Sequence, residues 1–236
     1  RAEVLSYTPY GGSRDTGLAI WGNLMDAKLQ YRLMIADGRE GDYVAKDNPR
    51  LTARVHYSLW DPEPDYGYLG TYLGTKKVLT IGASMDKQDG VAYANYPSRS
   101  DIKDYSAWTV DAFMELPTAS GVYTLSGAVF EYDTGNAYSA TSDPDMAVNS
   151  DLEGYYVKAG FMLPGKVGPG RLQFFARHEE SDYGYKTGNI EYYDQTWTGV
   201  GANYYLDGQK LKISFEYAKV SFDNEHPTNP ALQDYN

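Results

Sequence analysis

The sequence predicts an all-β chain, a transmembrane up-and-down antiparallel β-barrel. Three observations carry that prediction. Apolar and polar residues alternate with period two through almost every segment. The links between segments run short, then long. No apolar run approaches the ~18 residues a membrane helix requires, yet Tyr and Gly each number 24 of 236 residues. Tyrosine suits positions where one end of a side chain is in apolar surroundings and the other is wet.

The strands follow in order. Ala2–Tyr7, Thr16–Leu24 and the later Gly121–Tyr132 are weakly patterned. Ala27–Ile35 sets Ala27, Leu29, Tyr31, Leu33 and Ile35 against Lys28, Gln30, Arg32 and Met34. Leu51–Leu59 sets its apolar residues against Thr52, Arg54, His56 and Ser58. Leu79–Asp86, Trp108–Leu116, Gly121–Tyr132, Tyr155–Leu163, Arg171–Arg177, Thr198–Leu206 and Leu211–Tyr217 complete eleven segments. A helix needs apolar residues three and four apart, which these lack. They read as strands with one apolar and one wet face.

Met25-Asp26, Pro117–Ser120, Pro164–Gly170 and Asp207–Gln209 are tight links, with Pro and Gly where turns want them. Arg39–Pro49, Lys87–Lys103, Asp133–Leu152 and Glu180–Tyr193 are long and polar. Long loops at one end and short turns at the other suit an outer-membrane barrel. Trp60–Gly74 breaks the rhythm, being long where a short turn belongs.

A soluble sandwich also alternates, so the solvent must be argued separately. The polar faces carry full charges in mid-strand: Lys28, Arg32, Arg54, Asp111, Lys158, Arg177, Lys212 and Glu216. With His56 they are the expected pore-lining residues. The apolar faces use small residues at Ala53, Ala83, Ala112, Ala159, Ala176 and Ala202, where a dense soluble core would want larger ones. Aromatics gather near strand ends, as an interfacial girdle requires (Tyr31, Tyr57, Trp108, Tyr155, Tyr204, Tyr217).

Composition excludes several functions. The net charge of −11 disfavours nucleic acid as a partner. Zero Cys removes disulfides, thiol nucleophiles and Cys-ligated metals. The three His residues, His56, His178 and His226, leave little for a His-based metal site. Gly70–Lys77 echoes a phosphate loop but has the wrong spacing. Glu179-Glu180 and Asp111/Glu115 read as chance carboxylate pairs rather than a glycosidase acid and base. Asp143, Asp145, Asn149, Asp151 and Glu153 form an acidic loop with the oxygens calcium takes but not the spacing of an EF-hand, so a solvated loop is favoured.

The run Arg14-Asp15-Thr16-Gly17-Leu18-Ala19-Ile20-Trp21-Gly22-Asn23-Leu24, with the later Ile35-Ala36-Asp37-Gly38, resembles the phosphate-selective porin O/P family. The Leu51–Tyr57 strand is similar in place and style, as is Gly199–Leu206 turning into Lys212–Tyr217. The resemblance implies a Gram-negative outer-membrane porin, usually a sixteen-stranded barrel and often a trimer. Loop lysines associated with phosphate selection have no counterpart cluster here. Eleven strands is an odd number, so the reading is a single barrel domain over 1–236, incomplete at both ends. The segment shows no signal peptide at Arg1 and no terminal aromatic strand.

The function read from this is passive diffusion of small hydrophilic solutes through a water-filled channel, with no reaction and no cofactor. The expected surroundings are outer-membrane lipid and lipopolysaccharide. Eight basic wall positions (Lys28, Arg32, Arg54, Lys158, Arg171, Arg177, Lys210, Lys212) face five acidic ones (Asp111, Glu115, Glu131, Glu179, Glu216), giving a mild anion preference. Two alternatives remain at this stage. One is a soluble secreted jelly roll that binds or cleaves polysaccharide on Trp60, Trp108 and Trp197. The other is a structural barrel in a larger outer-membrane complex.

Overall fold

Alternation decides which side chains share a face, and the turns decide which strands meet. The computed structural model describes residues 15–41, 44–95, 98–135, 151–187, 190–223 and 234. Among them run ten strands: β1 (Gly17–Leu24), β2 (Leu29–Ala36), β3 (Arg50–Ser58), β4 (Val78–Asn95), β5 (Ser100–Thr118), β6 (Gly121–Asp133), β7 (Leu152–Met162), β8 (Arg171–Thr187), β9 (Ile190–Asp207) and β10 (Leu211–Phe222). Each pairs antiparallel with the next, so order in the sheet equals order in the chain. This meander lacks the crossovers of a jelly roll. The expected Ala2–Tyr7 strand lies outside the described residues. The outer edges of the sheet are β1 and β10.

The register gives the sheet two unlike faces. On one, Ile20, Leu33, Ala53, Met85 and Trp108 follow one another across β1–β5. Leu125, Ala159, Ala176, Val200 and Tyr217 continue the same face across β6–β10. Its large side chains are uncovered, with Leu18 at 69% exposure and Phe215 at 70%. An apolar face bare across a whole sheet far exceeds the patch a water-soluble monomer exposes. About ten residues rising ~3.3 Å each, tilted ~40°, span the ~25 Å apolar band of an outer-membrane barrel.

Two expected loops are strands instead. Lys87–Lys103 and Glu180–Tyr193 are mostly taken up by the far ends of the β4–β5 and β8–β9 hairpins, which continue pairing to Asn95↔Ser100 and Thr187↔Ile190. Both hairpins change register on the way, at Gln88/Ala92 and at Tyr183/Lys186. The shift breaks the alternation while the ladder persists, and in the β4–β5 hairpin Val91, Ala92, Tyr105 and Ala107 form a buried cluster there. Lys28 also moves, into the β1–β2 turn rather than onto a strand face.

The irregular link 59–77, between β3 and β4, does not hang free at the short-turn end. It folds back over the polar face as a strap. Its Leu73 packs on a cluster formed by Val122, Met162 and Tyr205. Arg171 of β8 donates to the Leu73 carbonyl, and Gln209 in the β9–β10 turn donates to the Thr71 carbonyl at 2.5 Å. The strap therefore reaches from β3 to the far side of the sheet.

Candidate functional site

The polar face is built by the residues that alternate with the apolar set. Gln30, His56, Gly82 and Asp111 lie in one row, and Trp21, Arg32, Arg54, Ser84 and Thr109 in the next. Arg54 is held by Asp111 through two bonds, 2.5 and 3.0 Å, with a third to Ser84 at 2.9 Å. Their side chains are 9% and 3% exposed, so this pair is enclosed. Gly82 makes the enclosure possible: a Cβ there would lie 2.5 Å from Arg54 Nη2.

The strap covers this row with Tyr68. The Tyr68 hydroxyl accepts from Arg54 Nε at 3.0 Å and lies 2.7 Å from His56 Nδ1. His56 is buried. Gln30, also buried, donates to strap carbonyls at Pro64 and Asp65.

Glu115 of β5 fixes the strap's other half. Its carboxylate accepts from Thr71 Oγ1 and the Tyr72 N–H, each at 2.7 Å, and from the Gly74 N–H at 2.6 Å. The Tyr72 hydroxyl donates to buried Glu63 at 2.5 Å. A buried carboxylate met by three donors is fully engaged, with no proton-transfer task in view. The two carboxylates considered as an acid/base pair thus have separate structural partners.

Arg32 lies beside the covered row. Its guanidinium sits 4.2 Å from the Tyr66 ring centroid and 4.7 Å from that of Tyr68. Gln30 Oε1 accepts from its Nε and Nη2 at 2.9 and 2.6 Å, and the Tyr66 carbonyl accepts from Nη2.

The remaining expected wall residues lie on the same face away from the strap. Arg177 pairs with Glu216 at 2.7 Å and Glu179 at 3.1 Å, and covers the Trp197 ring. Lys158 stands over Phe175. Lys212 is exposed opposite Tyr205. Glu131 belongs to the other face, where it accepts from Trp108 Nε1 at 2.9 Å. Glu179 and Glu180 point to opposite faces, and Glu180 meets His178. The three tryptophans proposed as a sugar platform are dispersed: Trp108 on the apolar face, Trp197 on the polar face, and Trp60 in the strap under Lys77. Of the acidic loop, Asp151 caps Thr134 through its N–H and hydroxyl, while Asp143, Asp145 and Asn149 lie outside the described residues, as does His226.

At the long-loop end a second network ties loop 37–49 to the sheet. Arg50 makes two bonds to Asp86, 2.8 and 2.5 Å, and Gln88 Nε2 donates to carbonyls at Asp37, Arg39 and Asn48. Asp15 accepts from the Gly38 N–H at 3.0 Å. The two halves of the Asp15…Gly38 signature meet there, and Gly38 supplies the positive φ of 73° that the turn needs.

The sheet is thus bare and apolar on one side, charged on the other, and bridged by a folded-in strap. The family model for phosphate-selective porin O and P matches residues 101–235. The chain belongs to that family. It is a porin, of a family of channels rather than enzymes, and its match spans β5–β10. The Arg14–Gly38 run that resembles the family lies outside the matched segment. No curated protein and no solved structure matches the chain.

Sequence reasoning missed the strap residues Glu63, Tyr66, Tyr68 and Tyr72 and the clamp role of Glu115. The one signal was the length of Trp60–Gly74 in a short-turn place.

Proposed function

We propose that this porin lies in the outer membrane of a Gram-negative cell and lets small hydrophilic solutes diffuse through a water-filled lumen, with a mild preference for anions. The observation that carries the reading is the opposition of faces: uncovered Leu, Ile, Val and aromatic residues on one side, full charges on the other. Lipid tolerates the first and water the second. Association as a homotrimer and contact with lipopolysaccharide rest on family membership. Closure in lipid requires partners for the β1 and β10 edges, because unpaired backbone groups are costly there.

Pairing supports the anion preference. Arg54 is neutralised by Asp111, and Arg177 shares two glutamates. Arg32, Lys158, Arg171 and Lys212 form no ion pair among the described residues. With Glu131 on the other face and Lys28 and Lys210 in turns, the strands keep Arg32, Arg54, Lys158, Arg171, Arg177 and Lys212 on the polar face against Asp111, Glu115, Glu179 and Glu216, a small basic excess. The effect is modest, since exposed charges are screened within ~8 Å at physiological salt. Reversal potentials across a potassium chloride gradient test it, with chloride expected to permeate more readily than potassium. A potassium preference that survives neutralising the loop acids contradicts it.

A further inference from the structure

Among the described residues most aromatic rings on the polar face are covered, but two stand open: Trp21 of β1 at 46% exposure and Tyr66 of the strap at 58%. They touch edge to face, with centroids 5.3 Å apart. Trp21 is also the direct cross-strand partner of Arg32. Two open rings therefore border one guanidinium on the polar face.

That guanidinium is oriented but not neutralised. Tyr66 and Tyr68 flank it, and Gln30 and the Tyr66 carbonyl occupy Nε and Nη2. All of these are uncharged groups. Among the described residues Nη1, with two N–H donors, makes no hydrogen bond and no carboxylate pairs with Arg32. Its neighbour Arg54 is saturated by Asp111, Ser84 and Tyr68.

We propose that Arg32, Trp21 and Tyr66 form a binding subsite for small ring-bearing carboxylates on the water-facing wall, an inference that rests on the porin reading above. A carboxylate oxygen accepts from Nη1 in the guanidinium plane while its ring lies against Trp21 and Tyr66. Phosphate suits the site poorly. It spreads charge over a tetrahedron and is best met by charged donors from several directions, whereas the site offers one open guanidinium edge, and phosphate has no ring to lay against Trp21 and Tyr66. A neutral ring gains the stacking but not the charge-assisted bond.

The test uses the full-length protein in planar bilayers, with benzoate, inorganic phosphate and benzyl alcohol as blockers of single-channel current. Losing a hydrogen bond to a charged group corresponds to about tenfold in affinity. Benzoate is expected to block at about tenfold lower concentration than either comparison compound, and Arg32→Gln and Trp21→Ala should each weaken its block. Equal block by phosphate or by benzyl alcohol overturns the subsite, as does benzoate block that survives either substitution. A variant that fails to form channels leaves the three-compound comparison on the unsubstituted protein to decide. Absence of any channel in that protein would defeat the porin reading, whereas open channels indifferent to benzoate defeat only the subsite.

Discussion

Arg32 and Arg54 stand directly opposite each other across the β2–β3 ladder, and only Arg54 meets a carboxylate. Like charges placed so repel. The sheet resolves this by drawing Arg54 down onto Asp111 beside Gly82, with both guanidinium groups resting against the Tyr68 ring. One of two equivalent-looking arginines becomes part of the wall's internal structure. The other keeps its charge available.

Asp111→Asn should destabilise the protein and strengthen its anion preference together. Removing one member of an enclosed ion pair costs about 3–5 kcal/mol, and the released Arg54 adds a positive charge to the wall. Unfolding in denaturant and reversal potential are the two readouts. An unchanged midpoint would show that the pair is not buried in the assembled channel.

Glu115→Ala should loosen the strap. Three donors lose their acceptor, at about 1–3 kcal/mol for each one left buried and unsatisfied. The expected results are new protease cleavage within residues 59–77 and a changed, noisier open-channel current. A variant with the parent's current and protease resistance would mean that Leu73, Arg171 and Gln209 hold the strap without it.

The apolar face predicts a position-dependent cost of charge. Arg in place of Ala159 or Val200 should cost ~2–4 kcal/mol where that residue meets the bilayer midplane. Gly160 lies on the polar face, where a Cβ would come 2.5 Å from Thr124 Oγ1 and 3.0 Å from Gln173 Nε2, so those side chains must shift but no charge enters lipid. Gly160→Arg should therefore insert more readily. Equal penalties at the three positions, measured by folding into lipid vesicles, would place a packed core where lipid is expected.

Loop 37–49 and the distal β4–β5, β6–β7 and β8–β9 connections all leave the sheet at one end, opposite the β1–β2, β5–β6, β7–β8 and β9–β10 turns. Protease added to intact cells should cut only in the first set. Cleavage at Asp207–Gln209 in sealed cells would reverse or break this topology.

The strands and their faces were legible because burial on one side imposes period two, as at Leu29–Ile35 and Leu51–Leu59. A change of register at Gln88/Ala92 and at Tyr183/Lys186 interrupts that period, so the distal β4–β5 and β8–β9 hairpins resembled loops. Arg32, Arg54 and Asp111 were recognisable as wall residues. Their pairing was not, since it depends on a register joining residues 57 positions apart. The strap was least legible. Its contacts run from Thr71 to Gln209 and from Leu73 to Arg171, and no local period reports them. Its anomalous length showed only that something had to be done with it.

Single-channel recording of the purified full-length protein in a planar bilayer tests the central claim most directly. A water-filled lumen bounded by the charged face predicts discrete current steps whose size rises with the conductivity of the bathing salt, whatever that salt is. A protein that inserts into the bilayer yet passes no current, in any salt, would contradict the account and favour a structural barrel closed by its strap.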